Sequence, residues 1–412
     1  MLNVDEALQH VLNHCSPLPP QSVPLDEALG LVLAEDIASD IDSPPYDKSM
    51  VDGYAIVAAD LASGSAQLKV LEEVVAGETP TQTVRSGQAT RIMTGAPLPR
   101  GANAVVMVEK TELILTGDAT DLGQVRLTDA AVSSGQNILP QGESMRRGDV
   151  VINRGSPLRA IEIGLLAEVG RDPAPVIRRP RVAILSTGNE LVPASQQPGV
   201  GQIRNSNGPM LAASVAAAGG VPLSLGVGRD DATELREAIR RGLEADVLVL
   251  SGGVSAGVLD LVPGVLAELG VHKVFHKVRL KPGKPLWFGV LPAADGQQAN
   301  GRLVFGLPGN PVSSLVCFEL FVRAALERLA GRAATAKGPI SGRLDSQFAH
   351  RGDRPTFHPA TLVAAESGPI ATPLRWRGSA DLRTLALANA LIHFPAGEHA
   401  YQAGDAVQIL PL

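Results

Sequence analysis

Three apolar runs in the second half of the chain end in the same way. "VAILSTGNEL" (182–191), "DVLVLSGGVSAG" (246–257) and "LVFGLPGNPVSS" (303–314) each pass from branched aliphatic residues to small ones and then to polar ones. Such runs read as buried strands, and 181–186, 221–227, 246–250 and 302–306 fit this description. Helical spacing at 208–218, 232–244 and 312–329 falls between or after them. Strand and helix alternating in this order predict a mostly parallel sheet covered on both faces, with ligands taken up at the carboxyl ends of its strands.

The rest of the chain reads differently. Residues 4–12 place Val4, Leu8, Val11 and Leu12 on one helical face, and "LDEALGLVLAED" (25–36) repeats the pattern, which predicts a helical opening. From about 66 to 153, short runs such as "AQLKVLEEV" and "AVVMVEK" separated by Gly and Pro predict a β-rich insertion. Helical spacing returns at 158–170, with Gly170 at its end. After 335, short extended runs predict a small β domain. The expected fold class is α/β multidomain: a helical domain (1–45 plus 154–178), a β-rich insertion (46–153), a three-layer α/β domain (179–334) and a barrel-like β domain (335–412).

A length of 412 residues suits several cores rather than one. The net charge of -6, with no long basic run, argues against a nucleic-acid partner, so an anionic ligand must be held by local groups. No apolar run approaches the ~20 residues that span a bilayer, and the opening lacks a signal-peptide pattern, so a cytoplasmic location is expected. Cys15 and Cys317 have no partnering pattern and read as small buried hydrophobes.

Chemistry concentrates in the strand-end loops. Ser251, Gly252, Gly253 and Ser255 form one, and Pro308, Gly309, Asn310, Pro311 and Ser313 another. Glycines there let backbone approach a ligand closely, and a following helix offers free N–H groups to an anion. Neither a phosphate-loop nor a dinucleotide fingerprint is present, which sets aside ordinary kinases and dehydrogenases. Lys281 and Lys284 flank a Pro-Gly turn in "RLKPGKPLWFG". Charge-assisted hydrogen bonds from two such cations, about 1.5–3 kcal/mol each, suffice to hold a dianion. Glu190, Asp230, Asp231 and Asp260 follow predicted strands; carboxylates beside a phosphate site suit Mg²⁺, although Asp230 and Asp231 also fit as caps of the next helix.

"PPYDKSMVDGYAI" (44–56), "RIMTGAPLPRGANAVVMVE", "STGNEL", "IRNSN", "SGGVSAGVLD", "KPGKP" and "GLPGNPVSS" occur in that order. With them the chain resembles, over nearly its full length, the molybdopterin molybdenumtransferase family, known as MoeA in bacteria and as the E domain of gephyrin in animals. The resemblance implies insertion of molybdenum from molybdate into adenylyl-molybdopterin with loss of AMP. It also implies a requirement for Mg²⁺ and a homodimer whose site lies between subunits. By motif position, Asp52 and Thr94 match polar site residues, Glu190 and Asp260 match acids near the nucleotide and Mg²⁺, and Pro308 and Pro311 match prolines shaping the last loop. Asp47 reads as structural. Ser144 stands where the family usually has an acid, and no role is carried to it. Ser379 and Asn389 are kept within an otherwise less typical stretch. Two other readings are a molybdopterin adenylyltransferase, which is also a possible protein partner, and a gephyrin-like scaffold; the 44–56 segment and the C-terminal β domain favour the transferase over the first.

Overall fold

The four strands expected from the apolar runs form, and two more join them. In the computed structural model, which describes residues 1–115, 121–129, 132–253, 261–293, 301–332 and 338–412, they build a six-stranded sheet. Its strands are β1 (Arg181–Thr187), β2 (Val221–Gly228), β3 (Val247–Ser251), β4 (His272–His276), β5 (Trp287–Leu291) and β6 (Arg302–Leu307). The order is β2-β1-β3-β6-β5-β4, with the first four parallel, β5 antiparallel to β6 and β4 antiparallel to β5. β4 follows the short helix Val262–Glu268, and β5 follows β4 with no helix between; the sequence reading identified neither strand.

Burial on both faces explains the continuous apolar runs. Val182 and Ile184 pack on one side with Leu211 and Val215 of α1 (Asn207–Ala217). Ala183 and Leu185 pack on the other with Leu235 and Ile239 of α2 (Ala232–Gly242) and Leu266 of α3 (Val262–Glu268). Few aromatics are available, and three of them pack side by side across the sheet at a tilt: Phe275, Phe288 and Phe305 have ring centroids 5.4 and 4.9 Å apart. α4 (Pro311–Cys317) continues through a π turn at Phe318–Val322 into Arg323–Leu329, so the helix read at 312–329 is one rod with a bulge. Because β1 connects outward to β2 and the chain then crosses to β3, the sheet reverses its winding between β1 and β3. A crevice opens there at the carboxyl ends.

The helical opening needs correction. Val4–Leu12 is a helix, capped by Asn3 and Glu6 in a reciprocal box. The 25–36 stretch is not: it holds a single 3-10 turn, Leu25–Glu27, and then the strand Val32–Leu33. Pro24 precedes the turn, and Gly30 takes φ +76°, a left-handed conformation no helix continues through. Val32 and Leu33, both buried, pair instead with Ile177 and Val176, completing a three-stranded sheet with Pro20–Val23. Hence the N-terminal region is a mixture of helix and sheet. The helix expected near 158–170 does form, at Ala160–Glu168.

Backbone contacts divide the chain into two units, one of Met1–Glu35, Arg154–Ile163 and Pro173–Leu412, the other of Asp36–Asn153 and Gly164–Asp172. In the first, Leu33 N–H donates to Ser156 O at 3.0 Å and Gly155 N–H to Leu33 O at 2.9 Å. The first unit also contains a closed five-stranded barrel, Ile340–Leu344, Gly368–Pro373, Thr356–Ala365, Ala390–Phe394 and Ala406–Pro411. The second is built on a six-stranded sheet in which Gly53–Ile56 lies between Ala104–Met107 and Gln88–Ile92. Among the described residues no helix is long and apolar enough to cross a membrane.

Candidate active site at the strand ends

A cavity of about 640 Å³ occupies the crevice between β1, β3 and β6. Its walls are the three strand-end loops read from the sequence, including Gly188, Ser251 to Gly253 and Pro308 to Pro311. Gly252 has φ +92°, and a methyl group there would lie 2.6 Å from the carbonyl oxygen of Thr187. Only glycine lets these two loops come so close. The Gly252 N–H donates to Leu307 O at 3.1 Å, joining β3's loop to the end of β6.

Asn207, at the start of α1, joins the same loops through its side chain. Nδ2 donates to Ser251 Oγ at 2.8 Å and to Gly309 O at 2.7 Å. Asn205 Oδ1 accepts from Ser186 Oγ at 3.0 Å and from Gly208 N–H at 2.9 Å, which fixes the turn into the helix. Two buried polar atoms on this cavity, Asn207 Oδ1 and Thr187 Oγ1, have no hydrogen-bond partner among the described residues. Each such atom costs about 1–3 kcal/mol, and a fold tolerates that most readily where a site demands it.

The acids divide between two tasks. Glu190 and Asp230 line the cavity, and the Asp230 N–H donates to Asn189 Oδ1 at 3.1 Å. Asp231 instead caps α2, its Oδ1 accepting from the N–H groups of Thr233 and Glu234 at 2.9 Å each. Arg204 brings a cation to the same rim, its Nε held by Gln196 O at 3.0 Å. Ser255 and Asp260 lie outside the described residues. Among the described residues no group of three or more His, Cys, Asp or Glu side chains could hold a metal. Two carboxylates are still a fitting donor set for Mg²⁺, which keeps its waters and completes its shell from substrate phosphates.

A second cavity, of about 420 Å³, carries Lys281, Lys284, Ser313 and Arg354. Pro285, Pro308 and Asn310 belong to the walls of both cavities. The lysines are held apart by a turn seated on the core: Cys317 Sγ donates to Gly283 O at 3.6 Å, and burial pushes both thiols up, that of Cys15 to about 12. The cysteines are therefore buried, un-ionised packing groups, as the sequence suggests. Lys281 N–H donates to Pro355 O at 2.9 Å and Lys281 O accepts from Phe357 N–H at 2.8 Å, so this wall is shaped by the C-terminal barrel. Ser379 ties down the last loop, accepting from Asn310 Nδ2 at 2.9 Å through Oγ and from Val312 N–H at 3.0 Å through its carbonyl.

Within the second unit, Asp52 and Thr94 meet. Asp52 Oδ1 accepts from Thr94 N–H at 2.7 Å and from Thr94 Oγ1 at 2.8 Å. The backbone bond and then the hydroxyl bond hold its carboxyl below the usual carboxylate range, while the group stands in solvent. Asp47 is structural as expected: its carboxylate accepts from Gln141 N–H at 2.8 Å and its carbonyl from Leu98 N–H at 2.8 Å. The polar crowding of "PPYDKSMVDGYAI" thus splits into turn-fixing groups and one exposed, ionised acid.

Three family descriptions cover almost the whole chain in order. They are "MoeA N-terminal region (domain I and II)" over residues 2–170, "Probable molybdopterin binding domain" over 183–328 and "MoeA C-terminal region (domain IV)" over 341–412. Proteins named molybdopterin molybdenumtransferase are 33% identical in Staphylococcus aureus and 34% identical in Bacillus subtilis. The matches cover 99% of this chain and 94% and 93% of those proteins. The chain belongs to the MoeA family. A crystal structure of the molybdopterin biosynthesis MoeA protein of Pyrococcus horikoshii has the same fold, with a TM-score of 0.84 at 32% identity over 100% of this chain and 99% of that one. A molybdenum cofactor biosynthesis protein of Pyrococcus furiosus, at 20% identity and TM-score 0.59, shares the fold.

As a MoeA-family member the chain is an enzyme of molybdenum cofactor biosynthesis. Of the residues singled out in the sequence, Glu190, Ser251, Gly252, Gly253, Pro308, Gly309, Asn310 and Pro311 come together on the first cavity. Lys281, Lys284 and Ser313 come together on the second, and Asp52 and Thr94 pair in the other unit. Asn389 spans Leu362 N–H and O with its amide and is a strand-pairing group. Ser144 N–H donates to Ser43 O. Sequence reasoning missed Asn205, Asn207 and Arg204, although "IRNSN" was among the motifs and its two asparagines carried the signal.

Proposed function

We propose that the enzyme inserts molybdenum from molybdate into adenylyl-molybdopterin with release of AMP, in the cytoplasm, as a Mg²⁺-dependent homodimer. The observation that carries this reading is the shared wall of Pro285, Pro308 and Asn310 between two cavities of opposite character. One offers glycine loops and acids, which suit an adenylylated substrate with its metal. The other offers Lys281, Lys284 and Arg354, which suit an oxyanion. Molybdenum's lasting soft ligands are the dithiolene sulfurs of the substrate, so an enzyme with two buried thiols needs no thiolate of its own.

Glu190 and Asp230, with Asp260 added by motif position, are the residues that would hold Mg²⁺. When bound, the ion neutralises charge on the adenylyl phosphate. Lys281 and Lys284 orient molybdate, and the loop glycines admit the substrate's phosphate to backbone N–H groups. By motif position the Asp52–Thr94 pair would contribute to a site completed by the partner subunit.

The deciding experiment follows AMP release from adenylyl-molybdopterin with and without molybdate. Molybdate-dependent release is expected, and Lys281→Ala or Lys284→Ala should raise the molybdate requirement roughly tenfold, the worth of one charge-assisted bond. Formation of the adenylyl compound from MgATP, independent of molybdate, would instead make the enzyme an adenylyltransferase.

A further inference from the structure

We propose that Asn207 is a positioning residue for the transfer reaction, setting the spacing of the three strand-end loops through its amide. The inference rests on the reading of the first cavity as the substrate site. Asn207 starts α1, directly after the segment that leaves β1's loop, and is 8% exposed. Its Nδ2 reaches residues 44 and 102 positions later in sequence, Ser251 on the second loop and Gly309 on the third. Gly309 O only accepts, so the amide nitrogen must face it, and both N–H hydrogens are used. Oδ1 is buried and has no partner among the described residues.

That asymmetry separates a positioning role from a packing role. A residue kept for core stability would be apolar or fully bonded; Asn207 instead spends every donor on two loops and leaves its acceptor unsatisfied. It also fixes the neighbouring hydroxyl. Since Ser251 Oγ accepts from Asn207, the Ser251 hydrogen is directed away from that bond.

The test uses the full-length enzyme with Asn207→Ala and the isosteric Asn207→Asp. Release of AMP in the presence of molybdate is followed across pH, melting temperature is measured, and hydrogen exchange is read at the Gly252 amide, whose bond to Leu307 O depends on the loop spacing. Loss of register among the loops should lower kcat about a hundredfold in both variants at neutral pH. In Asn207→Asp the introduced carboxyl, buried and pushed upward, regains an O–H donor for Gly309 O on protonation. Its rate relative to wild type should therefore rise as pH falls, whereas that of Asn207→Ala should not. Exchange at Gly252 should quicken in both variants at neutral pH.

Turnover within about twofold of wild type in both variants overturns the inference. So does a loss of turnover with Gly252 exchange unchanged, which would make Asn207 a substrate contact instead. Should Asn207→Ala not fold, the pH series of Asn207→Asp still decides. If wild type itself released no AMP, the proposed reaction would fall, and the exchange comparison would still decide whether Asn207 holds the loops.

Discussion

Asp52 and Thr94 show how a single neighbour can tune an exposed acid. Both hydrogen bonds come from Thr94, so Thr94→Val removes the hydroxyl donor and leaves the backbone one. The Asp52 carboxyl should then titrate higher, toward the ordinary ~3.9. A depressed folded pKa favours the ionised group above the unfolded value, and that advantage is lost as pH falls through the folded pKa. The acid limb of the pH–rate profile should accordingly move to higher pH in Thr94→Val, and an unmoved limb would remove Asp52 ionisation from turnover. This pair was legible in the sequence only through motif order, because 42 residues separate the partners. The glycine loops were legible for a different reason: apolar strand, small residue, polar residue is a local pattern. Asn207's ties across 44 and 102 residues leave no periodic trace, so only its place in the "IRNSN" motif marked it.

At the level of elements, adjacent acids with the same local sequence take different parts. Asp231 caps α2 with two backbone bonds, while Asp230 faces the cavity. Asp231→Ala should cost about 1 kcal/mol of stability with AMP release nearly unchanged. Asp230→Ala should leave the melting temperature in place and reduce turnover at limiting Mg²⁺. Thermal melts and rates of the two variants check this, and the reverse assignment would show as exchanged phenotypes. The helix at 232–242 was readable because one apolar face repeats over several turns, and the rod at 311–329, buried nearly all round, because its apolar run is too long for a strand. The 25–36 stretch misleads because Leu25, Ala28, Leu29 and Val32 satisfy helical spacing, while Pro24, Gly30 and the pairing of Val32 with Ile177 decide otherwise. Pairing with residues nearly 150 positions away is invisible to a local window.

For the molecule as a whole, the proposed homodimer makes a quantitative statement. If each site draws Asp52 from one subunit and Glu190 from the other, Asp52→Ala paired with Glu190→Ala confines both lesions to one site of the dimer. Each variant alone should be nearly inactive; after free subunit exchange, about half the dimers are mixed and recovery should reach roughly a quarter of wild-type activity. No recovery, with exchange verified by a tag, would put both residues in one subunit's site. The order of the chain through its two units carries a separate consequence. Leu33 and the Gly155–Ser156 pair, which bracket the departure and return of the polypeptide, are hydrogen-bonded to each other inside the first unit. The ends of the intervening stretch are thus pinned a few ångströms apart whatever that stretch contains, and closing such a gap needs only a short turn. In evolutionary terms the neck tolerates changes of length: a gene could lengthen or trim the loops between residues 36 and 153 without re-registering a strand of the host sheet, while Gly164–Asp172, which belongs to the same unit and receives Ser43 Oγ at Glu168, ties the loss of the whole stretch to the rest of the chain.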